Sequence, residues 1–339
     1  MISQQKGVNL ADRLFVGMKD IVLGTRGSDL ALAQTRMAMQ LLRDTGFDGG
    51  LKERVIQTGG DLRQEIKLSD FSRGQNAVPA KGVFTKELED ALLAGEIDAA
   101  VHSLKDLPAQ LAEEFELVAI LPRAPVEDIL LVQGAACSLT DLPRGATMAT
   151  SSIRRNRLVA WKRPDLVFCD IRGNVPTRLR KLANGQAGDA TILARAGMER
   201  LGFYREGSNQ VEIDEFILGC RVLPTSGFLP AGGQGAVAIE ILKGSPVAGC
   251  FQKVNDEDTA MRVAAERQFL HFLGAGCNTP VGVCASLEPT GGQMHLEAVV
   301  FDETNPDTLP KTGKVSGSCE DMEQMAGELL QVMGIDIQA

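Results

Sequence analysis

The chain has 339 residues, 44% hydrophobic and 23% charged, with a formal net charge of −9 from 35 basic and 44 acidic side chains. That length exceeds one ordinary core, so two or three domains are expected, while the acidic balance argues against a general nucleic-acid binder and no apolar run reaches membrane-helix length. Seven scattered cysteines with no C-x-x-C pair, and three separated histidines, predict a reducing cytoplasmic setting and no metal site.

Residues 1–19 lack the order of a secretory signal and the basic richness of a transit peptide, and read as an extension. "DIVLG" (20–24) is a short apolar run and predicts a buried strand. "SDLALAQTRMAMQLLRDTG" follows with helical apolar spacing, Ser28 as cap and Gly46 as stop. "RVIQT" predicts a second strand. Residues 59–82 have no clean period, and a loop of that length in a compact domain is usually functional. "VFTKELEDALLAGE" predicts a helix and "IDAAVHS" a strand. The alternation implies a parallel sheet covered by helices.

The pattern restarts near residue 128. "DILLVQ", "ATMAT", "LVFCDI" and "DATILA" predict strands. "SSIRRNRLVAWK" and "NVPTRLRKLANG" predict helices, the second with Pro176 in its first turn and Gly185 past its end; "AGMERLG" predicts a short helix. "GQGAVAIEIL" (234–242) is a further apolar strand. Residues 257–273 predict an amphipathic helix. "VGVCASL", "HLEAVVF" and a helix near 320–333 complete a small α+β tail.

Ligands of open α/β sheets sit beyond the C-terminal ends of the strands. "GTRGS", "HSLKD", "TSSIRR" and "DIRGN" all fall there, on two lobes, and describe a cleft between them. The stretch 154–181 carries nine basic residues against two acids, which predicts a small anionic ligand. Arg154 and Arg155 beside a Ser–Ser cap form a carboxylate or phosphate site. "TRGS" read alone is also a turn with a cap. Ser103 and Lys105 share a face on an extended segment, so a Ser–Lys hydrolase stays open. Asp106 is a candidate acid and Cys277, in the glycine-flanked loop "LGAGCNTPVG", a candidate nucleophile or an inert thiol. Nothing in the residues alone names a reaction.

Taken in order, "GTRGSDLALAQ", "KGVFTKELEDALLAGEIDAAVHSLKDLP", "TSSIRRNRL", "IRGNVPTRLRKL", "GGQGAVAIE", "RVAAERQFL" and "GAGCNTPVG" resemble the porphobilinogen deaminase (hydroxymethylbilane synthase) family. The resemblance implies an α/β fold of two lobes like those of type 2 periplasmic binding proteins, plus a small C-terminal α+β domain. It implies an extension over 1–19, domain 1 over 20–123 and 234–254, domain 2 over 124–233 and domain 3 over 255–339. It further implies condensation of four porphobilinogens into hydroxymethylbilane with release of four ammonias. The chain would grow on a dipyrromethane cofactor bound through a thioether to Cys277, in a cytoplasmic monomer with no nucleic-acid or membrane partner.

By the same match Asp106 is the catalytic carboxylate. Arg26, Ser28, Lys81, Phe84, Ser103, Lys105, Thr150, Ser151, Ser152, Arg154, Arg155, Arg172, Gly173, Arg178, Arg200 and Gln234 line the cofactor and substrate positions. Arginine suits that task because its planar fork pairs bidentately with carboxylates and keeps its proton. Departures are the longer loop 59–82, Asp29 where a proline is common, Gly233 where a valine is common, and a weak match beyond about 290. A binding protein or ligand-sensing domain on the same fold is the competing reading, since fold alone does not fix function.

Overall fold

The computed structural model describes residues 20–59, 85–276, 279–289 and 292–338. In chain order the elements begin with β1 (Ile21–Thr25), α1 (Asp29–Asp44), β2 (Leu51–Val55), α2 (Lys86–Leu93), β3 (Ala99–Ser103) and β4 (Phe115–Ile120). Next come β5 (Asp128–Gln133), β6 (Thr147–Ala149), α3 (Ile153–Lys162), β7 (Val167–Cys169), α4 (Val175–Ala183), β8 (Ala190–Ala194), α5 (Arg195–Arg200), β9 (Gln210–Ile213) and β10 (Phe216–Leu223). The chain continues with β11 (Val237–Leu242), α6 (Glu257–Phe272), β12 (Val281–Leu287), β13 (Gln293–Val300), β14 (Lys311–Ser318) and α7 (Met322–Val332).

Three sheets organise these elements into an α/β fold with a small α+β unit at the end. The first runs β2-β1-β3-β11-β4, the second β7-β6-β8-β5-β10-β9, and the third β12-β13-β14. The expected parallel order holds for β2-β1-β3 and β7-β6-β8. It fails where the chain crosses between lobes: β11 is antiparallel to β3 and β4, and β5 is antiparallel to β8 and β10. Each lobe is closed by a strand that arrives from the other lobe, so two crossings, 121–127 and 224–236, run side by side. Leu121 N donates to Val237 O at 2.9 Å and Ala124 N to Gly235 O at 3.2 Å.

Local chemistry explains most boundaries. Ser28 Oγ accepts from Ala31 N and starts α1, Ser152 Oγ accepts from Arg155 N at α3, and Asn174 Oδ1 accepts from Thr177 N at α4. Gly46 and Gly185, at φ 87° and 69°, follow α1 and α4 in the left-handed conformation that ends helices. The second strand lies three residues earlier than "RVIQT" predicts. It is an edge strand whose Lys52, Glu53 and Arg54 are exposed, so its pairing with β1 rather than apolarity defines it.

Helix α6 is also not the one-sided amphipathic helix expected. Val263 packs with Leu104 and Leu107 of the first lobe, while Ala265 and Phe269 pack on the third sheet with Val283 and Leu296. A helix buried between two partners shows two apolar faces instead of one stripe.

Candidate active site

The turn after β3 is built to present two charges. Leu104 and Leu107 are buried, and Leu104 N donates to Ala236 O at 3.1 Å, which pins the turn to the return crossing. Lys105 and Asp106 lie between these anchors and are exposed to the cleft. The Ser103 hydroxyl is 2.8 Å from Gln34 Nε2 and 3.1 Å from Gln34 Oε1. It is therefore engaged by α1, and the Ser–Lys hydrolase reading finds no activated hydroxyl here.

Lys105 is exposed at the surface, yet neighbouring protein displaces much of the water around its ammonium. Desolvation is the largest influence on its ammonium and, with Arg155 and Arg154 adding to it against Asp106 and Asp128, brings the pKa down to about 8.

Opposite the turn, several predicted positions prove to be occupied by local work. Ser28 and Ser152 cap helices. Ser151 Oγ donates to Ile171 O at 2.9 Å, and Thr150 Oγ1 accepts from Ser152 N at 3.2 Å. Gly173 has φ 114°, and a Cβ there would lie 2.6 Å from Thr177 Cγ2, so glycine is required. Its carbonyl accepts from Arg178 Nε at 2.7 Å, and Arg172 O accepts from Lys181 Nζ at 3.1 Å. Arg26 and Arg172 are half-buried at their strand ends. Lys81, Phe84 and Cys277 lie outside the described residues.

Arg154 and Arg155 are buried and share one carboxylate that sequence reasoning missed. Asp128, fully buried at the start of β5, accepts from Arg154 Nη2 at 2.8 Å and from Arg155 Nη2 at 2.7 Å. Burial alone would raise the Asp128 carboxyl; the charges of Arg155 and Arg154, with their hydrogen bonds, outweigh it and hold the group well below the usual carboxylate range. An acid opening an otherwise apolar strand, "EDILLV", was the available signal.

Among the described residues, Arg178 and Arg200 have no carboxylate within bonding distance. Arg200 Nη2 donates to Gly235 O at 2.6 Å, reaching from α5 to the return crossing. Desolvation brings both guanidiniums down to about 10; Arg155 and Arg172 add to the effect at Arg178, which Asp106 partly offsets. Asp106 of one lobe and Arg178 of the other thus face each other electrostatically. Lys105, Arg154, Arg155, Arg178 and Arg200 share Asp106 and Asp128, while Glu199 is already bonded to Arg195. Among the described residues this group carries more cations than carboxylates, and a ligand with several carboxylates would balance it.

Residues 21–248 match the family model "Porphobilinogen deaminase, dipyromethane cofactor binding domain", and residues 260–333 match "Porphobilinogen deaminase, C-terminal domain". A porphobilinogen deaminase of Nitrobacter hamburgensis is 42% identical over 301 residues, covering 87% of this chain and 88% of its own. One of Thermus thermophilus is 39% identical over 315 residues, with 92% and 94% covered. One of Syntrophomonas wolfei is 42% identical over 305 residues, with 89% and 90% covered.

Proposed function

From the premise that the chain belongs to the porphobilinogen deaminase family, we propose that Asp106 is the carboxylate at which it condenses porphobilinogen, and that the cations around it hold the acidic side chains of substrate and cofactor. Family membership makes it a transferase of porphyrin biosynthesis that uses a dipyrromethane cofactor. Four porphobilinogens are joined head to tail into hydroxymethylbilane.

The observation that carries the assignment is the single exposed carboxylate on a rigid turn, facing a cation surplus across the cleft. Porphobilinogen carries an acetate and a propionate on each ring. Desolvated guanidiniums are suited to such groups, since pairing restores what burial removed. The cofactor's carboxylates fit the same logic: Arg155 Nε is a buried donor with no hydrogen-bond partner among the described residues. When bound, the cofactor supplies the nucleophilic pyrrole carbon from which the product grows.

In this reading the C–N bond of the incoming aminomethyl group breaks, ammonia leaves, and a C–C bond forms to the waiting ring. Asp106, fixed by Leu104 and Leu107, stabilises the positive charge on the incoming unit and on the attacked ring. It then receives the proton released as that ring regains aromaticity. Lys105, Arg155, Arg178 and Arg200 orient the carboxylates, and Cys277 anchors the cofactor through a thioether. Arg26, Arg172 and Lys81 complete the set of cations.

The same reading divides the chain into 20–123 with 234–254, 124–233 and 255–339. It takes the enzyme as a cytoplasmic monomer, in keeping with the free thiols of the six described cysteines. No helix among the described residues is long and apolar enough to cross a membrane.

Intact mass spectrometry and an ammonia-release assay test the proposal together. The purified chain should be heavier than its sequence by two linked pyrrole units, and Cys277→Ala should remove the increment. It should release one ammonia per porphobilinogen consumed. A modified peptide containing a different cysteine, or turnover undiminished in Asp106→Asn, would overturn the corresponding assignment.

A further inference from the structure

We propose that Asp128 is a positioning residue for this reaction: it clamps the Arg154–Arg155 pair so that two buried guanidiniums present one uncompensated charge, and the free Nε of Arg155, to a single ligand carboxylate. The inference rests on the function proposed above and adds to it a residue that does not touch substrate.

The geometry is specific. Each arginine is held at two points, one on Asp128 and one on a backbone carbonyl. Arg154 Nη1 donates to Leu229 O at 2.7 Å and Arg155 Nη1 to Ile192 O at 2.8 Å, in addition to their bonds to the two oxygens of Asp128. Gln234 Nε2, on the return crossing, donates to Asp128 Oδ1 at 3.1 Å and to Val126 O at 2.7 Å. The carboxylate therefore ties helix α3 to both crossings.

With those bonds made, Arg155 Nε remains a buried donor without a partner among the described residues. Leaving a buried donor unpaired is costly, so it marks a place where a partner arrives. Charge agrees with geometry: two guanidiniums minus one carboxylate leave one positive charge. Without Asp128 the pair would repel and the helix start would carry both charges unbalanced.

A second consequence reaches the other lobe. Lys105 is faced by Asp106 on its own turn, by Arg154 and Arg155 on α3, and by Asp128 on β5. Asp128 favours the charged ammonium and the two arginines oppose it. Removing the Asp128 charge therefore moves the Lys105 titration to lower pH.

The test uses Asp128→Asn and Asp128→Glu in the full chain, beside the unaltered protein. The fraction carrying the two-pyrrole mass increment is measured by intact mass, and kcat/KM is measured from pH 6.5 to 9.5 on the loaded fraction. Asp128→Asn is expected to load poorly and to lose about tenfold to a hundredfold in kcat/KM, the usual effect of removing a partner that orients a ligand-binding group. Its basic limb should move to lower pH by roughly half a unit or more. A normally loaded Asn variant, within about threefold of the unaltered enzyme and with the same pH profile, overturns the proposal.

If the Asn variant yields no folded protein, Asp128→Glu decides. It keeps the charge and displaces it by a methylene, so it should keep the pH profile and still lose several-fold in kcat/KM. Undiminished kcat/KM in that variant would reduce Asp128 to a stability element. An unaltered chain without the mass increment would instead sink the functional reading itself, and this inference with it.

Discussion

Two arginine sites in this molecule face opposite circumstances. Where the crossings meet the third unit, Arg123 has every end partnered. Nε donates to Gln234 O at 2.9 Å, and Nη1 and Nη2 donate to the two oxygens of Glu266, each at 2.8 Å. Glu266 also accepts from Gly233 N at 2.7 Å and Ala285 N at 2.9 Å. Burial works against the Arg123 charge, yet Glu266 more than compensates and raises its pKa above the ordinary value. Across the cleft, Arg178 and Arg200 each donate to one backbone carbonyl and are pushed down to about 10. The same side chain is saturated in one place and left in deficit in the other. Saturation marks a structural joint, and the deficit is what the proposed ligand would fill.

The largest expected effect breaks the saturated side. Arg123→Leu strands Glu266 without its cation and should destabilise the fold by about 3–5 kcal/mol, measured by urea denaturation. A change under about 1 kcal/mol would mean the joint is far less coupled than its hydrogen bonds indicate. Next comes the chemistry on the deficit side. Asp106→Asn should slow single-turnover condensation by about 10²–10³, with Asp106→Glu less impaired because it keeps the charge. An Asn variant within a few-fold of the unaltered enzyme would make "HSLKD" a substrate clamp only.

Arg178→Leu sharpens the contrast, because it removes a cation that burial disfavours. Its unfolding midpoint should stay level or rise slightly while KM increases, the opposite of Arg123→Leu. A large loss of stability would place Arg178 with the structural arginines.

The smallest effect is a pH dependence. Lys105 has its folded pKa lowered to about 8, so between about pH 8 and its unfolded value near 10.4 the unfolded chain binds more protons. Its contribution therefore makes stability rise with pH through that window, while activity that needs its charge falls. Lys105→Met should flatten the stability trend, as followed by thermal melts. An unchanged trend would show that other groups carry it.

Much of this was legible because the sequence states it locally. The buried parallel strands β1, β3 and β8 are apolar runs, and α1, α3 and α4 announce themselves by capping residues. The turn carrying Asp106 was visible as charge after an apolar run. What stayed hidden depends on partners far along the chain. Strand β14, "KTGKVSGS", looks like a loop; its Gly313 and Gly317 make room for Met333 and Met325, whose atoms would lie 2.6 Å and 3.1 Å from an added Cβ. Strand β10 contains Gly219, where a Cβ would meet the Ala136 backbone at 2.4 Å. Asp128 was passed over because nothing in its neighbours says that two arginines converge on it. Ser28 and Ser152, matched to binding positions, also cap helices as acceptors, a local role the match did not show.

The insertion of β11 between β3 and β4 also has a consequence for how the chain is made. Ser103 pairs with Val237, so the lobe that leaves the ribosome first lacks its inner strand until most of the polypeptide has been synthesised. The second sheet is drawn entirely from residues 147–223 and β5, and can close earlier. Assembly order should therefore invert synthesis order, with the later lobe compact while the earlier one still exposes a strand edge. Nascent chains ending after residue 230 and carrying a linker long enough to clear the exit tunnel, briefly exposed to protease, would show it: protection beginning near 128 is expected, and equal protection of residues 20–120 would contradict it.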